Sequence, residues 1–330
     1  GTGSDAMICR TLGRLAAVAL LLGLIYLLAG FFTSRISASP PLLGPGEVER
    51  LQRPAVDAAF PHVVRGALSV HSGRSHDAEG TFEQVSRAAE RAGLDFVVLG
   101  DHPGDWMTSP DATTPVRVGA ALLVPGVEMV VGGRGRVLAV GLDTLPDRWE
   151  GSLAELVERV DPESGFVSVV HPRSPKSRES WKSQVAEGTH AWESFDVSEM
   201  ARARLEEPWA FYHLVNFLAA LPFGRADEVV VGMWRERFRT PAILAYDSIR
   251  SESFTALTGG LNHHPKARVA GGLFPAYTPF FRSVVNHVAL DAPLSEDPFT
   301  ARRQLTTALR GGRLFVTLGH ADEAGGFRAW

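Results

Sequence analysis

The sequence predicts an α/β fold, a largely parallel sheet with intervening helices, preceded by an N-terminal transmembrane helix. Three observations predict it. Short apolar runs alternate with amphipathic segments along residues 63–330, the pattern of βα units. Histidines and carboxylates stand directly after several of those runs, where α/β folds place their chemistry. Leu15 to Phe32 is apolar and uncharged over 18 residues, and as a helix it would span about 27 Å, close to the thickness of a bilayer core.

The chain divides accordingly. Residues 1–14 read as a tag remnant before Met7 and a short basic tail with Arg10 and Arg14. Residues 15–32 read as an uncleaved signal anchor, longer than the apolar core of a typical signal peptide; a cleaved signal peptide is the competing reading, since Ser37-Ala38-Ser39 follows. The expected location is the cell membrane, single-pass, with the short basic tail inside and the bulk of the chain extracytoplasmic. Residues 33–62 carry Pro40, Pro41, Gly44, Pro45, Gly46 and Pro54 and read as a linker, with a short helix around Val48–Leu51. Residues 63–330 form the globular part. With 330 residues and 45% hydrophobic composition, the chain suffices for one large domain or two smaller ones.

The globular elements follow in order. Ala67–Val70 is a strand leading to His71. Thr81 to Arg91 is a helix: Thr81 and Gln84 make a capping box, Phe82, Val85, Ala88 and Ala89 form one face, and Gly93 stands at the C-terminal cap. Leu94–Leu99, apolar except for Asp95, is a buried strand ending at Gly100-Asp101-His102. Further strands are expected at Ala120–Val124, Arg136–Gly141, Phe166–Val170, Phe254–Leu257, Val284–Leu290 and Arg313–Thr317, and helices at Ser152–Val160, Glu206–Leu221 and Phe299–Leu309. Trp192 with Phe195, and Trp209 with Phe211 and Tyr212, read as core.

The chemistry-bearing residues are His71, Asp77, Asp101, His102, Glu128, His171 and His264. Imidazoles and carboxylates are the donors that bind zinc, manganese or iron. The single cysteine, Cys9, excludes a Cys-rich metal motif, so ligands must be His, Asp, Glu or Asn. Each residue has an ordinary alternative. His71 alone would be a surface or capping residue, and Glu128, inside the apolar stretch Leu122 to Val131, requires a salt bridge or a metal. His62, His76, His190, His213, His287 and His320 read as ordinary histidines, with His76 and His263 close enough to the ligands to contribute. A net charge of -4 offers no global basic field and sets the expectation that nucleic acid is not a partner.

The order of these features resembles the PHP (polymerase and histidinol phosphatase) superfamily of metal-dependent hydrolases. The resemblance rests on LSVHSGRSHDAEGTFEQVSRAAERAGLDFVVLGDH at 68–102, PGVEMVVGGRGRVLAVGL at 125–142, VSVVHPRSP at 167–175 and TGGLNHH at 258–264. VVNHVAL and the C-terminal ALRGGRLFVTLGHADEAGGFRAW resemble the carbaryl-hydrolase-type branch. The resemblance covers about 63–330 and implies a distorted (β/α)7 barrel with metal ligands at the C-terminal rim. It implies His71, Asp77, His102, Glu128, His171 and His264 as ligands, Glu128 bridging two ions, and Asp101 orienting His102 or a neighbour.

Three residues depart from the family pattern. Ser69 stands where the first histidine of His-x-His belongs, and Asn262 where the late aspartate belongs, its amide oxygen still able to ligate. Arg136 stands near a position that many members fill with histidine. It could hold a phosphate or carboxylate, or repel one metal and form a salt bridge to Glu128 instead. The expectation is therefore one or two divalent ions (zinc, manganese or iron) and a membrane-anchored hydrolase acting on a small-molecule phosphoester, carbamate, ester or amide. Asp77, Glu128, His264 and Arg136 would be its catalytic residues. The alternative is a catalytically degenerate barrel that serves as an extracytoplasmic binding module.

Overall fold

A computed structural model describes residues 17–24, 26, 62–133, 135–142, 148–160, 162, 164–172, 174, 181, 188–197, 210–220, 256–269 and 272–318. The expected linker and its short helix lie outside the described residues, as does most of the expected anchor. Residues 17–24 are helical and exposed, and no helix among the described residues is long and apolar enough to cross a membrane.

A mixed α/β sheet organises the chain. Its centre is β1 (His62–Val70), flanked in parallel by β2 (Phe96–Leu99) and β9 (Ala256–His263). Beyond β2 lie β4 (Ala121–Val124) and the edge strand β3 (Val116–Val118). Beyond β9 the order continues through β8 (Ala191–Asp196), β7 (Phe166–Val170) and β6 (Gly135–Val140) to β5 (Val127–Val131). The sheet curls back on itself: Asp101, just past β2, bridges Val127 at the start of β5 in parallel, and the Glu128 amide donates to the Asp101 carbonyl at 3.1 Å. Gly126 makes this approach possible, because a Cβ there would lie 2.7 Å from the Leu99 carbonyl oxygen and 3.0 Å from that of Ala139. An antiparallel pair, β12 (Val284–Leu290) and β13 (Leu314–Leu318), attaches to β1 through β12. A small hairpin joins β10 (Ala267–Val269) and β11 (Gly272–Phe274).

Most strands form where the apolar runs place them, and the first helix of the globular part carries the expected caps. The helix Phe82–Ala92 has both halves of the Thr81/Gln84 box, and Gly93 takes the left-handed conformation at its end. The helix Leu153–Arg159 has a second capping box, Ser152 with Glu155. The helix Pro298–Arg310 starts on Asp297, with proline in its first turn. Val85, Ala88, Ala89 and Ala92 pack with Val97, Leu99, Leu123, Tyr277 and Phe281, and Tyr277–Ser283 is a helix that the sequence reading missed.

The structure corrects these expectations at several points. The sheet is not uniformly parallel: β6 runs antiparallel to both β5 and β7, because the tight Gly132–Gly133 turn reverses the chain after β5. The apolar stretch Leu122 to Val131 is two strands, broken at Pro125-Gly126. Gly259 and Gly260 lie inside β9. They are there for close packing: a Cβ on Gly260 would fall 1.3 Å from Glu193 Oε1, and one on Gly259 would fall 2.4 Å from Val284 Cγ1. Phe211, expected in the core, is exposed on the helix Ala210–Ala220. Trp192 is fully buried as expected.

One core cluster combines Leu68, Phe96, Val98, Leu138, Val140, Phe166 and Ala256 with Ala301, Leu305, Ala308 and Leu309 of the last helix. Phe96, Phe166 and Ala256 begin their strands, so this helix covers the N-terminal ends of the parallel strands. The opposite end is left for the polar residues.

Candidate metal centre

The C-terminal ends of the parallel strands carry the polar cluster. His71 follows β1, Asp101 and His102 follow β2, His171 follows β7, Asn262 is the last residue but one of β9 and His264 lies just past it. Glu128 and Arg136, near the starts of β5 and β6, reach the same rim because those strands meet it from different directions. Among the described residues, three non-glycine residues take positive φ, and all belong to this rim: Ser69 at 56°, His171 at 50° and Asn262 at 44°. Each such conformation costs about 1–2 kcal/mol. At Ser69 the strand register shifts between Ala67 and Val70, a bulge that re-aims the chain into His71.

Two groups face each other across Glu128. In the first, His71, Asp77, His102 and His264 offer donor atoms all within 4.8 Å of one another. His102 Nε2 and His264 Nε2 each lie 3.3 Å from Asp77 Oδ2, matching the roughly 3.3 Å separation expected between ligands of a tetrahedral ion with bonds of about 2.0 Å. The second group joins His171 to Glu193 and Asp196 of β8, two carboxylates that sequence reasoning missed. Asp196 Oδ2 is 2.5 Å from His171 Nδ1, and Glu193 Oε2 accepts from the His171 amide at 2.8 Å. Asn262 Nδ2 donates to the same Asp196 oxygen at 3.3 Å. Glu128, 2% exposed, points one oxygen at both groups: Oε2 lies 3.4 Å from His71 Nε2 and 3.2 Å from His171 Nε2. Its Oε1 accepts from Arg136 Nη1 at 3.0 Å.

Local bonds set the rings. Ser75 Oγ donates to Asp77 Oδ1 at 2.7 Å, so it accepts from His71 Nδ1 at 3.3 Å. The Asn262 carbonyl accepts from His264 Nδ1 at 2.8 Å. Asp101 does not touch the His102 ring. It accepts from the Ser72 amide at 2.6 Å and from Ser72 Oγ at 2.7 Å, which holds the turn beside His71. The Tyr277 hydroxyl supports that turn by donating to the His71 carbonyl at 2.7 Å. The neighbour His263 belongs to the other face of β9. It stacks on Phe280 and donates to the Pro275 carbonyl at 3.1 Å. His287 is likewise structural, bonded to Thr317 and stacked on Phe315. His76 is exposed beside His102.

The protonation behaviour follows from burial and neighbours. Burial opposes charge on both Glu128 and His171, but each outweighs it for the other. Glu128 is held well below the usual carboxylate range by His171 and His71, and His171 is raised well above the usual imidazole range by Glu128 and Asp196. Burial also works against Asp77, yet His102, His264 and Ser75 hold it low. Burial disfavours charge on His102, while Asp77 and Glu128 outweigh it and Arg136 opposes them, for a net upward direction. Burial first, and then the charge of His71, press His264 down to about 3. Burial raises Asp101, against His71 and Ser72.

The residues present fit a divalent ion. His71 Nε2 is buried and makes no hydrogen bond, and it faces a carboxylate oxygen that also faces His171 Nε2. His71, His171 and His264 each commit Nδ1 to an acceptor, which leaves Nε2 for the centre, the arrangement typical of metal-binding imidazoles. These buried His, Asp and Glu groups could hold a metal ion.

No protein-family model and no curated protein matches the chain. Among solved structures, PsfC from Pseudomonas syringae PB-5123 is similar at a TM-score of 0.44 and 13% identity, over 78% of this chain and 92% of that one. Endonuclease Q, solved with a 27-mer duplex substrate bearing an abasic lesion, is similar at a TM-score of 0.30 and 16% identity, over 44% of this chain and 47% of that one. The lesion-specific endonuclease PfuEndoQ of Pyrococcus furiosus is similar at a TM-score of 0.28 and 17% identity, over 44% and 46%. The matched region thus spans about half the length of each endonuclease. The expectation that nucleic acid is not a partner is corrected by these findings, since two similar structures are endonucleases and one is solved on a duplex. The physical reason is that a net charge of -4 is a global sum, which by itself does not exclude nucleic acid from any one surface. The carbaryl-hydrolase-type branch finds no support in these comparisons, and residues 319–330, which carry part of that resemblance, lie outside the described residues.

Proposed function

We propose that the chain is a PHP-type metal-dependent hydrolase built on a distorted (β/α)7 barrel. The ring of β1, β2, β5, β6, β7, β8 and β9, joined at Asp101 and Val127, supports the barrel. The observation that carries the hydrolase is the convergence of His71 Nε2 and His171 Nε2 on one buried Glu128 oxygen. A bound zinc, manganese or iron ion supplies a Lewis acid and lowers the pKa of water. His71, His171, His264, Asp77 and Glu128 would hold it, with Asn262 beside them. Asp196 keeps the His171 ring oriented. Asp77, a carboxylate held ionised beside two imidazoles, is placed to accept a proton from an attacking water and to return it to the leaving group. Arg136, its side chain 23% exposed, stands at the rim to stabilise negative charge on a phosphoryl or carbonyl oxygen.

Phosphoesters are the proposed substrate class, with carbamates, esters and amides next. The test is elemental analysis of the full chain purified without chelators. It is followed by turnover on phosphomonoesters, phosphodiesters including oligonucleotides, and carbamate and ester panels. Bound metal with turnover that a chelator abolishes is the expected result. A folded chain that takes up no added ion would sink the reading. The Arg136–Glu128 ion pair favours the second reading, a degenerate barrel that captures ligands without turnover, and that outcome would select it.

We also propose that residues 15–32 anchor the chain in the cell membrane with the barrel outside the cytoplasm. The uncharged run and the exposed side chains of Val18, Leu20, Leu21, Leu22 and Leu24 support this. Retention in the membrane fraction after alkaline washing is expected, and release by the wash would count against it.

A further inference from the structure

The four central histidines are not equivalent. His71, His171 and His264 each turn Nδ1 to a group that can accept: Ser75 Oγ at 3.3 Å, Asp196 Oδ2 at 2.5 Å and the Asn262 carbonyl at 2.8 Å. His102 turns Nδ1 to Arg136 Nη1 at 3.0 Å. A guanidinium only donates and keeps its charge, so His102 Nδ1 must accept and cannot carry the proton. The ring proton then sits on Nε2, 3.3 Å from Asp77 Oδ2. The weaker acceptor on the same side, the Glu128 carbonyl at 3.4 Å from Nδ1, would need Arg136 to withdraw before it could take an Nδ1 proton. The same Arg136 nitrogen lies 3.0 Å from Glu128 Oε1. One guanidinium nitrogen thus sits between an imidazole and a carboxylate, as a bound cation would.

Resting on the metal-dependent reading, we propose that Arg136 is a built-in cation that fills one metal position of this centre. It withdraws His102 and Glu128 Oε1 from the ligand set and leaves His71, His171 and Glu128 Oε2, with His264 and Asp77, for the remaining ion or ions. His102 is thereby kept as a protonated partner of Asp77, and Arg136 acts on it as a positioning residue.

The test reads metal content and ring tautomer rather than turnover. Full-length protein and the variants Arg136→His, Arg136→Ala and Arg136→Lys are saturated with zinc or manganese, freed of excess, and analysed for metal per chain by mass spectrometry. Long-range 15N–1H spectra, with His102 assigned from His102→Gln, report its tautomer with and without zinc. The expected result is one more equivalent in Arg136→His than in the parent and parent-like content in Arg136→Lys. His102 should stay protonated on Nε2 throughout in the parent. Equal content in parent and Arg136→His, or a His102 that moves its proton to Nδ1 on zinc loading, overturns the inference while leaving the hydrolase standing. Metal in Arg136→His but none in the parent upholds the inference and removes the hydrolase. Metal in neither overturns both. The parent's tautomer decides the matter even if a variant fails to fold.

Discussion

The two halves of the site meet at one carboxylate but are built differently. The half around His71, Asp77, His102 and His264 is assembled from turns: His71 and Asp77 share the seven-residue segment 71–77, and Ser75 ties both to the His102 amide. The half around His171, Glu193 and Asp196 is assembled from adjacent strands, with Asp196 and Glu193 brought to His171 by the pairing of β7 with β8. The first half is partly exposed through Asp77 and His264, and its fixed cation is Arg136. The second is buried throughout, with His171 set between Glu128 and the carboxylates of β8. The difference teaches that one buried polar site can combine a half organised by local hydrogen bonds with another organised by sheet register.

The sharpest way to break this comparison is Glu128→Leu, which removes the group shared by both halves. Stripped of its carboxylate, the buried cationic cluster should cost about 3–5 kcal/mol in urea unfolding, and metal uptake should vanish from both halves together. Uptake that survives at full strength would show that the halves are independent. Asp196→Asn should act on one half only. Loss of the carboxylate behind His171 is expected to weaken metal binding by about 10–100-fold, read by chelator competition, with the histidine signals of the His71 half unmoved.

A smaller effect is expected from His263→Phe, on the opposite face of the strand. Buried and held near a pKa of about 3, His263 stays neutral in the folded protein, while in the unfolded chain it protonates at its ordinary 6.5. Its folded value is depressed, so it costs stability as pH falls below 6.5 and the penalty grows down to its folded value. At pH 5.5 the variant should recover about 1.4 kcal/mol of acid-induced loss, from 1.36 kcal/mol per unit. Thermal melts across pH check this, and an unchanged acid limb would reject it. Smallest is Ser152→Ala, which removes a helix cap remote from both halves. It should cost about 1 kcal/mol with metal content unchanged, separating general destabilisation from loss of the site.

Much of the fold was legible locally. The capping boxes at Thr81 and Ser152 and the apolar runs before His102 and His171 mark their elements because the information lies within a few residues. The first half of the site was legible for the same reason, since His71, Asp77 and His102 sit at the ends of runs or in a polar turn. Glu193 and Asp196 were not. They lie in a strand whose neighbours Trp192 and Phe195 look like ordinary core, and only the clearance that Gly260 leaves for Glu193 reveals a buried carboxylate there.

By itself the sequence determined which residue types stand at the ends of strands, where the helix capped by Thr81 and Gly93 begins and stops, and that any metal must be held by imidazole and oxygen donors. These follow from periodicity, capping and composition, which act over a few residues. Tertiary structure alone decided that β6 runs against its neighbours, that the Glu128 oxygens divide between two imidazoles and Arg136, that Asp196 stands behind His171, and that His102 faces a cation while three other histidines face acceptors. These depend on strand register and ring orientation across segments far apart in the chain, and there a shift of one residue would exchange a site-facing side chain for a core one.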